Sequence, residues 1–214
     1  MSRVALAHPA LQGLSPVAVA ASVAPGKAAA RAAGEAAARG LQAPLRARFA
    51  AGLADALASL AARLDARTIG LYAPIGAEVD TRQLANRLLA DGRSLAYPRL
   101  SPEPGLMEFA ASAGPTALRA RPRSRILEPE GSQLDADALD LLVVPALAAD
   151  GGLRRVGRAG GYYDRYLLRV RADCVVVLVL PSAAVVPWSP VEPHDAAGDA
   201  VCTERGLFGP AGGA

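Results

Sequence analysis

The residues of this chain best suited to chemistry lie in one basic, glycine-rich segment, RVGRAGGYYDR, at residues 155–165. Its first two arginines supply positive charge that suits phosphate oxygens, and its three glycines allow the backbone to approach a ligand closely. Its aspartate is a hard oxygen ligand of the kind that magnesium prefers. The residues concerned are Arg155, Arg158, Gly157, Gly160, Gly161 and Asp164. The segment therefore predicts a site for nucleotide phosphates and their metal ion.

The neighbouring sequence indicates how this segment is positioned. An apolar run at residues 139–145 is typical of a buried strand that ends at a proline, and Leu167, Leu168 and Val170 suit a short helix with one apolar side. A strand, a loop and a helix start in that order present free backbone N–H groups to an anion. A plain turn with solvated arginines is the alternative. The spacing matches neither the P-loop nor the Gly-x-Gly-x-x-Gly pattern, so those two nucleotide sites are not predicted.

Hydrophobic patterning along the rest of the chain predicts an α/β fold. Strands that alternate with helices favour a three-layer sandwich, a mostly parallel, doubly wound sheet covered by helices on both faces. Ligands of such sheets bind beyond the carboxyl ends of the strands, where we expect the loops 74–80, 145–161 and 181–195. The predicted helices are 28–38, 44–64, 81–89 and 162–170, the strands are 68–73, 94–97, 106–110, 139–144 and 174–180, and 112–138 is expected to be irregular.

Composition agrees with a compact protein whose mild positive charge fits a small anionic molecule at least as well as nucleic acid. The 214 residues fit one domain at 26–205, with a flexible extension at 1–25 and a flexible tail at 206–214. The net charge of +3 is mild, and the arginines of residues 118–125 have no interleaved aromatics, so a nucleic-acid partner is not predicted. No apolar stretch reaches the roughly 20 residues of a membrane helix. Two cysteines suggest reduced thiols, so we expect a cytoplasmic protein. We also expect a monomer.

The motifs taken together resemble the 5-formyltetrahydrofolate cyclo-ligase family. The segment VPALAAD at 144–150 and the glycine-rich segment resemble its signature, V-P-G-L-A-F-D followed by R-L-G-R-G-G-G-Y-Y-D-R. Three further motifs stand in the family's order: GKAAAR at 26–31, GAEVDT at 76–81 and VEPHD at 191–195. The resemblance spans about residues 26–205. The glycine-rich segment is highly specific, and the shared order makes the other motifs informative.

The resemblance implies a role for each motif residue. It assigns Arg158 and Tyr163 to catalysis and Asp164 and Asp195 to magnesium. ATP would be bound by Lys27, Arg31, Arg155, Val156, Gly157, Arg158, Ala159, Gly160, Gly161, Tyr162 and Tyr163. The folate substrate would be bound by Arg31, Ala73, Glu78, Arg158, Gly160, Gly161 and Tyr162. Without the resemblance, Lys27 and Arg31 are also explained as a solvated helix face, and Asp164 as an acid favoured by the helix dipole.

Glu78 and Asp80 have separate explanations. Their alternation places them on the same side of an extended chain, where Glu78 would bind substrate. The alternative, a helix cap formed by Asp80 or Thr81, leaves Glu78 without a function.

The reaction that the resemblance implies is the ATP-dependent closure of 5-formyltetrahydrofolate to 5,10-methenyltetrahydrofolate, with release of ADP and phosphate. Three alanines replace residues usual in the family: Ala146 for glycine, Ala149 for phenylalanine and Ala159 for glycine or lysine. A side chain at 159 would cost about 1–2 kcal/mol if the loop requires a left-handed backbone there. Two other hypotheses follow, a non-catalytic nucleotide- or folate-binding module on the same scaffold and a sugar-phosphate enzyme of similar architecture.

Overall fold

The computed structural model describes residues 8–19, 26–122, 126–187 and 196–211. Its α-helices are α1 (Lys27–Gly40), α2 (Ala43–Arg63), α3 (Arg82–Ala90) and α4 (Tyr162–Leu167). Its first seven strands are β1 (Thr68–Gly70), β2 (Ser94–Leu100), β3 (Met107–Ser112), β4 (Arg119–Ala120), β5 (Leu127–Glu128), β6 (Gln133–Leu134) and β7 (Leu141–Pro145). The others are β8 (Ala148–Asp150), β9 (Arg155–Val156), β10 (Val175–Val179), β11 (Val185–Val186), β12 (Ala200–Thr203) and β13 (Gly206–Phe208). No helix of the described ranges is long and apolar enough to span a membrane.

A mixed eight-stranded sheet forms the centre of the fold, in the order β13-β12-β10-β7-β1-β2-β3-β6. The five inner strands from β12 to β2 are parallel, whereas β13, β3 and β6 are antiparallel additions at the two edges. From β1 the chain adds β2 on one side and β7, β10 and β12 on the other. The predicted mostly parallel, doubly wound sheet is therefore confirmed, and its direction of winding reverses between β1 and β7.

The two faces of the sheet are covered differently. Helices α2 and α3 pack on one face through a core that includes Phe49, Leu53 and Leu84. The other face is covered by α4, through Tyr166 and Leu167, and by a small sheet of order β11-β8-β9 on which α1 lies. The second covering layer is thus only partly helical. Helices lie on both sides, as predicted.

Several predicted boundaries are corrected by the structure. Strand β1 ends at Gly70, not at residue 73, and residues 112–138 contain β4, β5 and β6 instead of being wholly irregular. Strands β8, β9, β11, β12 and β13 were not predicted. Most of these strands have only two or three residues, too few for a two-residue alternation to be recognised. The spacing of Leu45, Phe49 and Leu53 predicts one apolar face for the helix 44–64, but Leu45 is exposed and the buried face of α2 begins at Phe49.

Described residues on either side of the predicted domain limits of 26 and 205 make contacts with each other and with the main sheet. Strand β13 extends the main sheet to Phe208 by pairing with β12. Val17 is buried, and the backbone N–H of Val17 donates to the carbonyl of Gly209 at 3.0 Å. The described part of the N-terminal extension therefore packs on the C-terminal segment. Both contribute to the folded domain.

A close backbone approach fixes α1 on the small sheet. A Cβ atom built on Gly34 would lie 1.7 Å from the carbonyl oxygen of Leu147, far inside van der Waals contact. Only glycine allows this distance, so Gly34 sets the position of the helix that carries Lys27, Arg31 and Glu35.

We expect Gly34→Ala to destabilise the protein by about 3 kcal/mol, because the methyl group forces α1 away from the backbone of Leu147. Urea unfolding measures this loss. The matched control is Gly52→Ala in α2, where an added Cβ meets nothing within 4 Å and should stabilise the helix by about 0.5–1 kcal/mol. Equal stability of the two variants would contradict the close approach of α1.

Candidate active site

The candidate site lies where the winding of the sheet reverses. The segment that contains Glu78 follows β1, and the segment that contains the glycine-rich loop follows β7, the neighbouring strand. In an open α/β sheet, the divergence of chain segments at such a point leaves a crevice beyond the strand ends. The topology therefore brings together two motifs that are about 80 residues apart in the sequence.

Hydrogen bonds hold the loop after β1 in one shape. The Tyr72 hydroxyl donates to the carbonyl of Val79 at 2.9 Å, and the Thr81 hydroxyl donates to the carbonyl of Tyr72 at 2.8 Å. Within this loop the backbone N–H of Ile75 donates to Glu78 Oε2 at 3.0 Å. Because both ends of the loop and the carboxylate itself are fixed, Glu78 is held in one orientation at the crevice.

Asp80 does not share the role of Glu78. Its carboxylate accepts the backbone N–H of Arg82 at 2.9 Å and pairs with the Arg82 guanidinium at the start of α3. Asp80 thus accepts the N–H of the first residue of α3, although the N-cap residue itself is Thr81, whose side chain makes no capping hydrogen bond. Glu78 is left as the carboxylate of this loop that faces the crevice.

The glycine-rich loop, here residues 157–161, is fixed at both ends. Strand β9 precedes it and is paired with β8, and Gly161 adopts a left-handed φ of 63° immediately before α4. Arg31 Nε donates to the carbonyl of Gly157 at 2.9 Å, and Arg165 Nη2 donates to that of Gly160 at 2.6 Å. Arg31 thus supports the loop that was predicted to bind ATP.

Arg155 is buried rather than exposed on the loop. Its side chain is only 5% exposed, and the guanidinium donates to Asp164 Oδ1 at 2.9 Å and to the carbonyl of Pro145 at 3.3 Å and lies over the Tyr163 ring. Such contacts tie the end of β7 to the first turn of α4. The prediction that Arg155 and Asp164 act separately, on phosphate and on metal, omitted this ion pair, because the burial of Arg155 depends on the two-residue strand β9.

Arg158 is the arginine that reaches the crevice. Its Nε lies 3.2 Å from Glu78 Oε1, and its Nη1 lies 3.6 Å from Oε1 of Glu35 on α1. The arginine is 41% exposed, whereas the Glu78 side chain is 14% exposed. The structure thus places Glu78 and Arg158, both predicted to bind substrate, in contact with each other.

The crevice contains a cavity of about 480 Å³ beside this ion pair. Its walls combine aromatic and aliphatic side chains with the glycine-rich loop, a composition that suits a flat ring with polar edges. The predicted site residues that line it are Ala73, Glu78, Arg155, Gly157, Arg158, Gly160, Gly161, Tyr162 and Tyr163. A second cavity of about 640 Å³ adjoins it and shares Glu78 and Arg158.

Five predicted site residues that the structure describes lie outside the walls of both cavities: Lys27, Arg31, Val156, Ala159 and Asp164. The Val156 side chain is buried in a small cluster with Ala30, so only the backbone of this residue is available to a ligand. Asp195, the second predicted magnesium ligand, lies outside the described residues.

Sequence reasoning missed two groups of site residues. Pro98, Leu100 and Met107, at the ends of β2 and β3, line the smaller cavity, but their position depends on strand pairing that the sequence does not reveal. Arg46 lines the larger cavity and donates to the carbonyls of Ala77 at 2.9 Å and Ala38 at 2.8 Å. Arg46 precedes the buried Phe49 by three residues and therefore lies on the same face of α2. A charged residue on an otherwise apolar helix face could have indicated its role from the sequence.

Burial shifts the pKa values of Glu78 and Tyr163, two of the titratable groups that line the smaller cavity. It raises the pKa of Glu78, against the opposing effects of the Ile75 N–H and Arg158. Burial, followed by the negative charge of Glu78, also raises the pKa of Tyr163 far above its usual value. The Tyr163 hydroxyl therefore stays protonated at neutral pH, a state that can donate a hydrogen bond but cannot act as a base.

The described residues provide only part of a metal site. They contain no group of three or more His, Cys, Asp or Glu side chains placed to hold a cation. Magnesium that arrives on nucleotide phosphates needs only one or two protein carboxylates. Asp164, at the start of α4, fits one such ligand, although its Oδ1 already accepts a hydrogen bond from Arg155.

Ala159 has a left-handed backbone, with φ of 75°. This is the conformation in which a side chain at residue 159 is expected to cost stability. We expect Ala159→Gly to stabilise the protein by roughly 0.5–1 kcal/mol, because glycine removes the strain and loses some of that gain to chain entropy. Urea unfolding measures the change. The control Ala38→Gly, within α1, should instead destabilise by about 1 kcal/mol. A loss of stability in both variants would contradict the strain at residue 159.

The raised pKa of Glu78 predicts a pH-dependent stability. A carboxyl whose pKa is higher in the folded than in the unfolded state binds more protons when folded, so stability falls as pH rises from the unfolded value through the folded one. Relative to Glu78→Gln, the wild type should lose unfolding free energy between about pH 4.3 and the folded pKa. Urea unfolding from pH 4 to 8 tests this. A relative gain for the wild type would mean that the Arg158 pair outweighs burial.

Comparisons with known proteins identify the family of this chain. The model of the 5-formyltetrahydrofolate cyclo-ligase family matches residues 24–204. The 5-formyltetrahydrofolate cyclo-ligase of Mycolicibacterium smegmatis is 30% identical over 151 residues, 66% of this chain and 76% of that protein. The mouse protein of the same name is 28% identical over 151 residues, 65% of this chain and 74% of its own length.

A solved structure supports the same assignment. The 5,10-methenyltetrahydrofolate synthetase of Aquifex aeolicus superimposes with a TM-score of 0.74 at 28% identity, over 88% of this chain and 94% of that one. The family match covers both the loop after β1 and the glycine-rich loop that meet at the crevice. This chain therefore belongs to the 5-formyltetrahydrofolate cyclo-ligase family.

Proposed function

We propose that this protein converts 5-formyltetrahydrofolate to 5,10-methenyltetrahydrofolate, with ATP consumed and ADP and phosphate released. The observation that carries the proposal is the meeting of Glu78 and Arg158 beside an aromatic cavity at the winding reversal of the sheet. This arrangement provides a polar contact for a ring and a positive charge for a phosphoryl group in one place.

The chemistry needs positioning and charge neutralisation more than a protein nucleophile. The formyl oxygen attacks the terminal phosphorus of ATP, and ADP leaves. The second folate nitrogen then attacks the formyl carbon and loses its proton, after which the C–O bond to phosphate breaks. Arg158 stabilises negative charge that develops on the transferred group, and the loop N–H groups around Gly160 add to it.

The smaller cavity binds the folate ring in this proposal. Tyr72, Tyr162 and Met107 supply apolar contact to its faces, and the Glu78 carboxylate accepts hydrogen bonds from its N–H groups. Protonated Tyr163 donates a hydrogen bond within the same cavity. Burial of the carboxylate makes its hydrogen bonds specific for a donor-rich ring edge.

The nucleotide lies against the glycine-rich loop, with Lys27 and Arg31 of α1 on its phosphate side. Asp164 and Asp195 would hold magnesium, which neutralises phosphate charge when bound. We further propose that the enzyme acts in the cytoplasm as a monomer on this small-molecule substrate, without a nucleic-acid or membrane partner.

Near-ultraviolet absorbance of the methenyl product, recorded with the wild type, 5-formyltetrahydrofolate, Mg²⁺ and ATP, tests the proposal. We expect Arg158→Ala to lower kcat about 100-fold or more, because a charge aimed at the reacting phosphoryl group is lost. The residue is 41% exposed, so the fold should persist. The control Arg121→Ala removes an exposed arginine paired with Glu130 at 3.1 Å and should leave the rate unchanged.

Asp164 requires a more conservative variant. Asp164→Ala leaves the buried Arg155 without its acid, which should lower the free energy of unfolding by about 3–5 kcal/mol. A loss of activity in this variant could then not be separated from a loss of folded protein. Asp164→Asn keeps a hydrogen-bond acceptor, and magnesium-dependent nucleotide affinity is its readout. ATP and folate binding by a wild type that forms no product would indicate the non-catalytic binding module. Binding of a sugar phosphate without folate would favour the sugar-phosphate enzyme.

A further inference from the structure

We propose that Glu35 is a positioning residue that holds Arg158 in place when Glu78 engages the substrate. The inference rests on the proposed function, because it requires that Glu78 binds folate and that Arg158 acts on the transferred phosphoryl group. No motif of the sequence pointed to Glu35, which follows Lys27 by two helical turns in α1.

Glu35 has a fixed position beside the site. It follows Gly34, whose backbone is pressed against the carbonyl of Leu147, so α1 cannot shift at this point without breaking contact. The Glu35 side chain lines the larger cavity and is 38% exposed. It is therefore accessible from the site and is presented by a rigidly placed helix.

The carboxylate of Glu35 lies between two arginines. Its Oε2 accepts a hydrogen bond from Arg39 Nη1 at 3.2 Å, and its Oε1 is 3.6 Å from Arg158 Nη1. Arg158 in turn uses Nε for Glu78 at 3.2 Å. The four side chains form a line of alternating charge along the larger cavity, and Arg158 contacts its two acids through different nitrogens.

These different contacts give the two acids separate functions. In the substrate-free protein the shorter contact, to Glu78, orients Arg158. A folate N–H that takes the Glu78 carboxylate weakens that contact, and an arginine with a long, flexible stem then loses its orientation unless another acceptor remains. Glu35 is that acceptor. It lies on a different element, so substrate binding at the loop after β1 leaves it in place.

An ordinary surface ion pair is the competing explanation. Exposed pairs contribute little, and the 3.6 Å separation of Glu35 and Arg158 exceeds hydrogen-bond length. A second competing explanation is that the negative charge of Glu35 only repels phosphate. In that case, removing this carboxylate should tighten ATP binding without changing the rate of the chemical step. The experiments below separate positioning from both explanations.

Steady-state kinetics of two variants provide the first test. We expect Glu35→Gln to lower kcat about five- to tenfold without raising the KM for ATP. Glu35→Asp keeps the charge but withdraws it by one methylene. Its loss of kcat should be about half as large on a logarithmic scale. The control Glu130→Gln removes an exposed glutamate paired with Arg121 and should match the wild type. An unchanged kcat in Glu35→Gln, with or without a lower KM for ATP, would overturn the inference.

Side-chain NMR provides a second test that needs no turnover. The Arg158 Nε–H signal, assigned by its loss in Arg158→Lys, should report an ordered side chain in the wild type and in Glu78→Gln. In the double variant Glu35→Gln/Glu78→Gln its order parameter should fall below about 0.6. Equal order in the single and double variants would refute a holding role for Glu35. Absence of methenyl product from the wild type would instead count against the proposed function alone.

Discussion

The Arg155 guanidinium contacts the end of β7 through the carbonyl of Pro145, the first turn of α4 through Asp164, and the face of the Tyr163 ring. It is almost wholly buried, and loss of one partner from such a pair costs about 3–5 kcal/mol. Both ends of the glycine-rich loop are therefore tied to one buried charge. The loop can carry flexible glycines and a strained alanine because its two ends cannot move apart.

Two arginines three positions apart consequently have different functions. Arg155 belongs to β9 and is buried against helix α4, whereas Arg158 extends from the loop into the crevice and contacts carboxylates of two other segments. The buried pair of Arg155 and Asp164 gives the loop its shape, and the partly exposed Arg158 presents a guanidinium to the site. The sequence alone did not distinguish the two arginines, because the burial of Arg155 depends on a two-residue strand that is too short to show a periodic pattern.

Long apolar runs made the centre of the fold predictable. The runs at 139–144 and 174–180 contain the paired parallel strands β7 and β10, and the leucines of α2 indicated a helix with one buried face. The order of the strands placed ligands at the carboxyl ends, where Glu78 and the glycine-rich loop meet. Glu78 was identifiable because capping explained Asp80 and left Glu78 without another function.

The remaining parts of the site depend on tertiary contacts between distant segments. Pro98, Leu100 and Met107 reach the cavity only through the register of β2 with β3. Glu35 reaches Arg158 only because Gly34 lets α1 approach the backbone of Leu147. Neither fact has a local signature in the sequence, since the residue types involved are common on ordinary strands and helices.

The stoichiometry of phosphate release to methenyl product, measured in one reaction mixture, tests the central claim most directly. The account predicts one phosphate for each methenyl product, with neither formed unless ATP and 5-formyltetrahydrofolate are both present. Phosphate released without the folate, or methenyl product formed without ATP, would contradict a site in which Glu78 and Arg158 join the two substrates in one reaction.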